Sequence, residues 1–455
     1  MKKVIAALLT LTMMTGLVAC GAKKETPADS SSETKEVSGK EDKEKAGTEA
    51  LTDEEINLEI WWQSGNVGDP SLSEDEWWIT QAIAAFEEAN PNINVELTVP
   101  SGQVEVTQTY KAAYVAGTEP DIVNLWSGTN LFAIGDLMID HAPYVSEDDL
   151  ANITSFSECY ENFDATEKLL GVPLVEAGKN VCSFYYNKNI LKEAGIDIEA
   201  DPIETIADFE AMLQKIQDAG YQPITCDDEG YGVLFCSMGI WWANAVGSEG
   251  MYSDSIGETT FADDEAFRGV LTMANEWYNK GYINEDYVSC TESLNNFLTG
   301  KAALFSAGTW YLQDIADGLG AENVGMFPMC PWSSNDKYQF ASMGGNGQVL
   351  CISAQSEHPA EAAALIAFLN SKEQTEAAQK QHLVLPARAD VDYPVSGGLY
   401  DDVVAAVDDS VFYYDNTLRA DVVTEFYRLW PLVVTGTTSV DEAITTLDSL
   451  VASGE

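Results

Sequence analysis

The chain has 455 residues, with 23 basic against 74 acidic side chains and a formal net charge of −51. That acid excess excludes nucleic acid, whose phosphates require basic patches, and argues against an anionic lipid surface as a binding partner. Four arginines (Arg268, Arg388, Arg419, Arg428) are too few to serve a ligand that needs bidentate phosphate or carboxylate clamps.

In chain order, Lys2 and Lys3 precede an apolar run from Val4 to Ala19. Its 16 residues fall short of the roughly 20 that span a bilayer as a helix. A basic start, a short apolar middle and a small-residue exit describe an export signal that is removed. Leu17-Val18-Ala19-Cys20 resembles the bacterial lipobox, in which the cysteine is lipidated and the chain is cut before it. Residues 1–20 are therefore expected to be a lipoprotein signal, with Cys20 carrying the acyl chains that hold the protein on the outer face of the cell membrane. The competing reading is an ordinary signal peptide with an incidental cysteine. Residues 21–52 follow as a linker, because up to residue 50 they hold no aromatic and one large aliphatic, Val37. Such a stretch cannot bury enough apolar surface to offset its ordering entropy, so it is expected to be a disordered spacer.

The remainder, from residue 51, carries 15 of the basic and 66 of the acidic residues. "INLEIWW" alternates Ile56, Leu58 and Ile60 as a half-buried strand does. "WWITQAIAAFEEANP" spaces Ile79, Ile83 and Phe86 as a helix, ended by Asn90-Pro91. "INVELTV" returns to strand alternation, and Val106, Tyr110 and Ala113 lie on a second helix stopped by Gly117. "PDIVNLW" is a short apolar strand. The pattern resumes with the strand "VCSFYYN" and the helix "KNILKEAG". A helix with a capping box from Thr205 to Asp208 buries Phe209, Leu213 and Ile216. "SLNNFLTGKAALFSAGTW" is helix, glycine stop, strand. "HPAEAAALIAFLN" starts with Pro359 in its first turn, and a second box, Ser439 to Glu442, opens the last helix. Strands alternating with helices predict parallel sheet units and an α/β class. The 405 residues exceed the roughly 250–300 that one core organises, so two lobes are expected. Seven cysteines after Cys20 form no C-x-x-C pair and read as mostly buried thiols.

Four stretches carry a family resemblance: "AFEEANPNINVEL", "AAYVAGTEPDIVNLW", "GVPLVEAGKNVCSFYYNKNILKEAGI" and "FLTGKAALFSAGTW". In this order they resemble the bacterial extracellular solute-binding proteins of the maltose and multiple-sugar type, the lipoprotein receptors of ABC importers. Weaker echoes lie in "GGNGQVLCISAQSEHPAEAAALIAFL" and "LPAR". The resemblance implies a two-lobed periplasmic-binding-protein-like α/β fold, each lobe a mostly parallel sheet flanked by helices, with the ligand cleft between them. The implied boundaries are lobe 1 over 53–175, lobe 2 over 176–326, a return to lobe 1 over 327–386, and C-terminal helices of lobe 2 over 387–455. It also implies a monomeric receptor without cofactor or metal that captures a carbohydrate and docks on the permease subunits.

A neutral sugar offers apolar C–H faces and a rim of hydroxyls, so it calls for aromatic platforms and a few fixed polar groups. The chain has 11 tryptophans. By resemblance Trp310, after Gly308-Thr309, matches a tryptophan that stacks on sugar. Trp126 lies just past Pro120-Asp121-Ile122, where by the same resemblance the family presents a cleft aromatic at a strand's carboxyl end, the side expected for ligands. Glu176 in "PLVEAG" matches a carboxylate that accepts hydroxyl hydrogen bonds. Trp241 and Trp242 sit in "SMGIWWANAVG", read as loop-like, with one of them facing the cleft. Trp62 and Gln63 close the first strand, where the family also contacts solute. Each has a structural alternative: core anchoring for the tryptophans, a solvated surface acid for Glu176. Asp121 and Tyr186-Asn187-Lys188 are read as turn-holding, and Trp277 as core.

Among enzymes, a surface glycoside hydrolase is the leading alternative, since it needs only two suitably spaced carboxylates. No G-x-S-x-G or H-E-x-x-H occurs, and His141, His358 and His382 are dispersed, which disfavours triad or zinc hydrolysis. A polyamine cargo on the same fold suits the charge. The expectation is a binding protein without catalysis.

Overall fold

The computed structural model describes residues 51–63, 72–100, 106–227, 232–327, 337–381 and 383–454. The expected signal, the expected lipidation site Cys20 and the expected linker up to residue 50 lie outside the described residues. Two sheets organise the fold. The first holds β1 (Ile56–Trp61), β2 (Ile93–Thr98), β3 (Ile122–Trp126), β4 (Val172–Pro173) and β10 (Gln348–Ile352), in the order β2-β1-β3-β10-β4. The second holds β5 (Asn180–Asn187), β6 (Gln222–Thr225), β7 (Ala302–Gly308), β8 (Val324–Met326), β9 (Ser342–Gly345) and β11 (Ser410–Val411). Its order is β11-β9-β5-β7-β6, with β8 paired to β5.

The two-sheet α/β architecture agrees with the sequence reading, but the pairings are mixed and not mostly parallel. β1 runs parallel to β2 and β3, whereas β10 is antiparallel to both β3 and β4. In the second sheet β5 is antiparallel to β7, β8 and β9, and only the β6–β7 and β9–β11 pairs are parallel. The antiparallel partners include the strands that enter from the connections between sheets, whose direction those connections fix. Ser342–Gly345 still belongs to the second sheet, and the chain re-enters the first only at Gln348, later than the return read at 327.

Alternation on β5 shows how the second sheet is sandwiched. Cys182, Phe184 and Tyr186 enter one apolar cluster with Phe209, Trp241, Trp277 and Phe426. Val181 and Tyr185 enter another with Phe305, Leu312 and Leu399 on the opposite face. The first sheet has its own core, including Leu58, Ile60, Ile83, Phe86, Val349 and Leu365.

Local signals hold where they rest on capping chemistry. Helix Ile206–Asp218 starts with the Thr205–Asp208 box, and helix Val440–Ser453 with the Ser439–Glu442 box. Asn187 accepts the N–H groups of Asn189 and Ile190 and so caps helix Lys188–Glu193. The Asp121 carboxylate accepts from Glu59 N at 3.0 Å and from Ser356 Oγ at 2.6 Å, which ties β3 to its neighbours.

Candidate functional site

Backbone segments passing between the sheets bring several strand ends to one place. Leu174–Asn180 leads out of the first core into β5; Gly345–Gln348 leads back from β9 into β10. A third stretch meets them where Lys179 N donates to Leu385 O at 2.9 Å. Asn346 Nδ2 donates to Leu174 O at 2.8 Å and so fastens the first two crossings together.

Trp126 ends β3 opposite Gln348, and Asn180 starts β5 opposite Gly345. Gln348 lies three positions after Gly345, a span of at most about 10 Å. Thr309 Oγ1 donates to Asn180 Oδ1 at 3.0 Å and accepts from Val181 N at 3.1 Å. Register and side-chain bonds therefore bring Trp126 and the Thr309-Trp310 turn to either side of the same crossing. Trp310 is 40% exposed, unusual for so large an apolar side chain, and Trp126 is half-buried. Glu176 is buried in the first crossing.

The segment Tyr413–Leu418 closes the junction from the second sheet's side. Asn416 Nδ2 donates to Ser127 O at 3.1 Å, Asn130 Nδ2 donates to Asp415 O at 3.2 Å, and Thr129 Oγ1 donates to Leu418 O. Gly128, at φ +66°, permits this approach, since a Cβ there would lie 2.0 Å from Asn416 O. Burial pushes the Asp415 carboxyl up, against the lowering effect of the Tyr427 hydroxyl that donates to it at 2.8 Å. Burial likewise pushes the Glu158 carboxyl up, one bond network away, where Gly128 N donates to Glu158 O at 2.8 Å. Among the described residues no group of His, Cys, Asp and Glu is arranged to hold a metal ion, and no helix is long and apolar enough to cross a membrane.

The description "Bacterial extracellular solute-binding protein" matches residues 81–402. The chain belongs to that family. An arabinooligosaccharide-binding protein of Halalkalibacterium halodurans is 27% identical over 258 residues, 53% of this chain and 53% of that protein. The chain thus matches about half the length of this curated relative. A solved chitin oligosaccharide binding protein is 18% identical with a TM-score of 0.74, covering 88% of this chain and 98% of its own. The sugar-binding protein MalE of Xanthomonas citri is 20% identical with a TM-score of 0.65, covering 88% and 97%. At such identities these structures share the fold.

Not every residue singled out in the sequence of this solute-binding protein comes to the junction. Trp241 and Trp242 lie on helix Ile240–Ile256, not in a loop, and both are fully buried. Trp241 meets Trp277 edge-on at 5.8 Å between ring centroids. Trp242 packs on Phe267 at 4.8 Å and donates from Nε1 to Asp264 Oδ2 at 2.6 Å. Trp62 is buried against Trp78 at 5.9 Å, while Trp61 stays half-buried beside Tyr110. Gln63 is nearly buried, and its Nε2 donates to Asn124 O at 3.2 Å, tying the end of β1 to β3.

Sequence reasoning passed over Asn180, Thr309, Asn416 and Gln348, which assemble the junction. Only the glycines of "GGNGQ" hinted at it, because glycine inside a strand pattern marks close backbone approach. A Cβ on Gly344 would indeed lie 2.1 Å from Asn180 O.

Proposed function

We propose that this solute-binding protein is a lipid-anchored receptor of an ABC importer that binds a neutral sugar or oligosaccharide between its lobes and delivers it to the permease subunits. One observation carries the cargo: Trp310 keeps 40% of its surface exposed at the junction, while the other described tryptophans are buried or half-buried. A flat apolar ring held open beside polar crossing segments suits the C–H face of a sugar ring. Trp126 supplies a second platform, and Glu176, in the first crossing, is the polar candidate for hydroxyl groups, whereas Gln63 is held by Asn124 at the end of β1. The names of the relatives, which bind arabinooligosaccharide, chitin oligosaccharide and raffinose, support the same cargo class.

The anchor rests on Leu17-Val18-Ala19-Cys20 and the low-complexity stretch behind it. In this reading the protein works as a monomer on the outer face of the membrane and turns over no substrate. A thermal-shift panel of mono-, di- and oligosaccharides with polyamines tests the cargo. A ligand at a hundredfold its Kd stabilises by about 2.7 kcal/mol, which raises the midpoint by a few degrees or less at this size. A saccharide hit supports the proposal. A polyamine hit overturns the cargo, and release of sugar from an oligosaccharide overturns the non-catalytic reading.

A further inference from the structure

Gly308 ends β7 and stands opposite Cys182 of β5. Its backbone lies at φ −86° and ψ 166°, extended geometry open to any L-residue, so chain conformation does not demand glycine there. Space does. A Cβ built on Gly308 would lie 2.1 Å from Cζ3, 2.2 Å from Cη2 and 2.3 Å from Cε3 of Trp310, all on the six-membered half of the indole. The ring therefore lies directly on the Gly308 Cα, and β7 is held in place by its ladder to β5. Thr309, between the two residues, is fixed by its bonds to Asn180 and Val181. With the backbone pinned on both sides, the indole is the part that must yield to any side chain at 308.

We infer that Gly308 is a positioning residue of the binding site: its absent side chain leaves the space in which Trp310 lies, so that the strand covers part of the indole and the remaining exposed surface forms a one-sided platform. The inference rests on Trp310 being the sugar platform, and it adds a geometric restriction, one sugar face per indole. Because alanine suits the extended backbone better than glycine, Gly308→Ala should separate stability from binding. A residue that acted only in the fold would move both together.

The test uses the full chain labelled with 5-fluorotryptophan, with the Trp310 resonance assigned by its loss in Trp310→Phe. In Gly308→Ala the Trp310 resonance should shift while the tryptophans remote from β7 keep theirs, and the melting midpoint should stay equal or rise. Affinity for raffinose or an arabinooligosaccharide mixture should fall roughly three- to tenfold, the range of one aromatic contact. The same substitution in a Trp310→Ala background should change affinity no further. An unmoved Trp310 resonance, or an affinity loss that persists without Trp310, overturns the inference. Absence of saccharide binding by the wild type counts against the receptor reading instead, and the fluorine spectra still decide the placement of the ring.

Discussion

Thr309 bonds Asn180 side chain to side chain at 3.0 Å, and this contact fixes the Trp310 turn to the residue with which the chain enters its second sheet. Asn180 is opposite Gly345, and Gly345 is three residues from the Gln348 that faces Trp126. The proposed platforms are thus tied to opposite ends of the crossing backbone, where any change in the angle between the sheets would alter their separation.

Replacement of Trp310 by alanine should weaken saccharide binding by about 1–4 kcal/mol, as for aromatic anchors in general. The thermal midpoint without ligand should hardly move, because the side chain is already 40% exposed. Calorimetric titration beside a melting curve separates the two effects. Full affinity in a folded variant would remove Trp310 from the site.

Trp242→Ala should do the reverse. It empties a fully buried volume between Phe235 and Phe267 and leaves Asp264 without its indole donor. A loss of about 3–5 kcal/mol is expected from the cavity alone. Urea unfolding should show it as a lower midpoint, while saccharide affinity of the folded fraction stays near wild type.

Asp254 makes stability depend on pH. It is almost fully buried, accepts from Thr259 Oγ1 at 2.5 Å, and has Asp264 and Asp448 as charged neighbours. Burial, followed by those two carboxylates and against the Thr259 bond, pushes its pKa up to about 7. The folded state therefore holds a proton that the unfolded chain releases near pH 4. The stabilisation is complete below about pH 4 and is lost as pH rises through about 7. Discounted for solvent screening, the change is roughly 2 kcal/mol. Urea midpoints at pH 4.5 and 7.5 should differ more in the wild type than in Asp254→Asn; an equal difference would contradict the assignment.

Cys20→Ser should abolish labelling by a radioactive fatty acid and release the protein from the membrane fraction into the medium. Retention of the label on the serine variant would exclude Cys20 as the anchor.

Much of the fold was legible because its signals are local. The boxes at Thr205 and Ser439 and the spacing of Ile79, Ile83 and Phe86 need only nearby residues to act. Helix Val233–Met238 was not legible: all six residues are buried, so no polar face interrupts the pattern to reveal a 3.6-residue period. Strand direction was also hidden, since alternation is the same in parallel and antiparallel ladders. Within the site, the chemistry of tryptophan is alike in a core and in a cleft, so Trp242 and Trp310 could be told apart only by what packs around them. The junction residues Asn180, Thr309 and Asn416 are ordinary polar side chains until contacts more than a hundred positions apart give them a role.

The most direct test of the receptor account is a calorimetric titration of the purified protein with the best saccharide from the panel, repeated on Trp310→Ala. The account predicts one saccharide bound per chain, unhydrolysed when recovered, with affinity lowered by about 1–4 kcal/mol in the variant. Recovery of cleaved sugar, or binding of a polyamine in place of any saccharide, would contradict it.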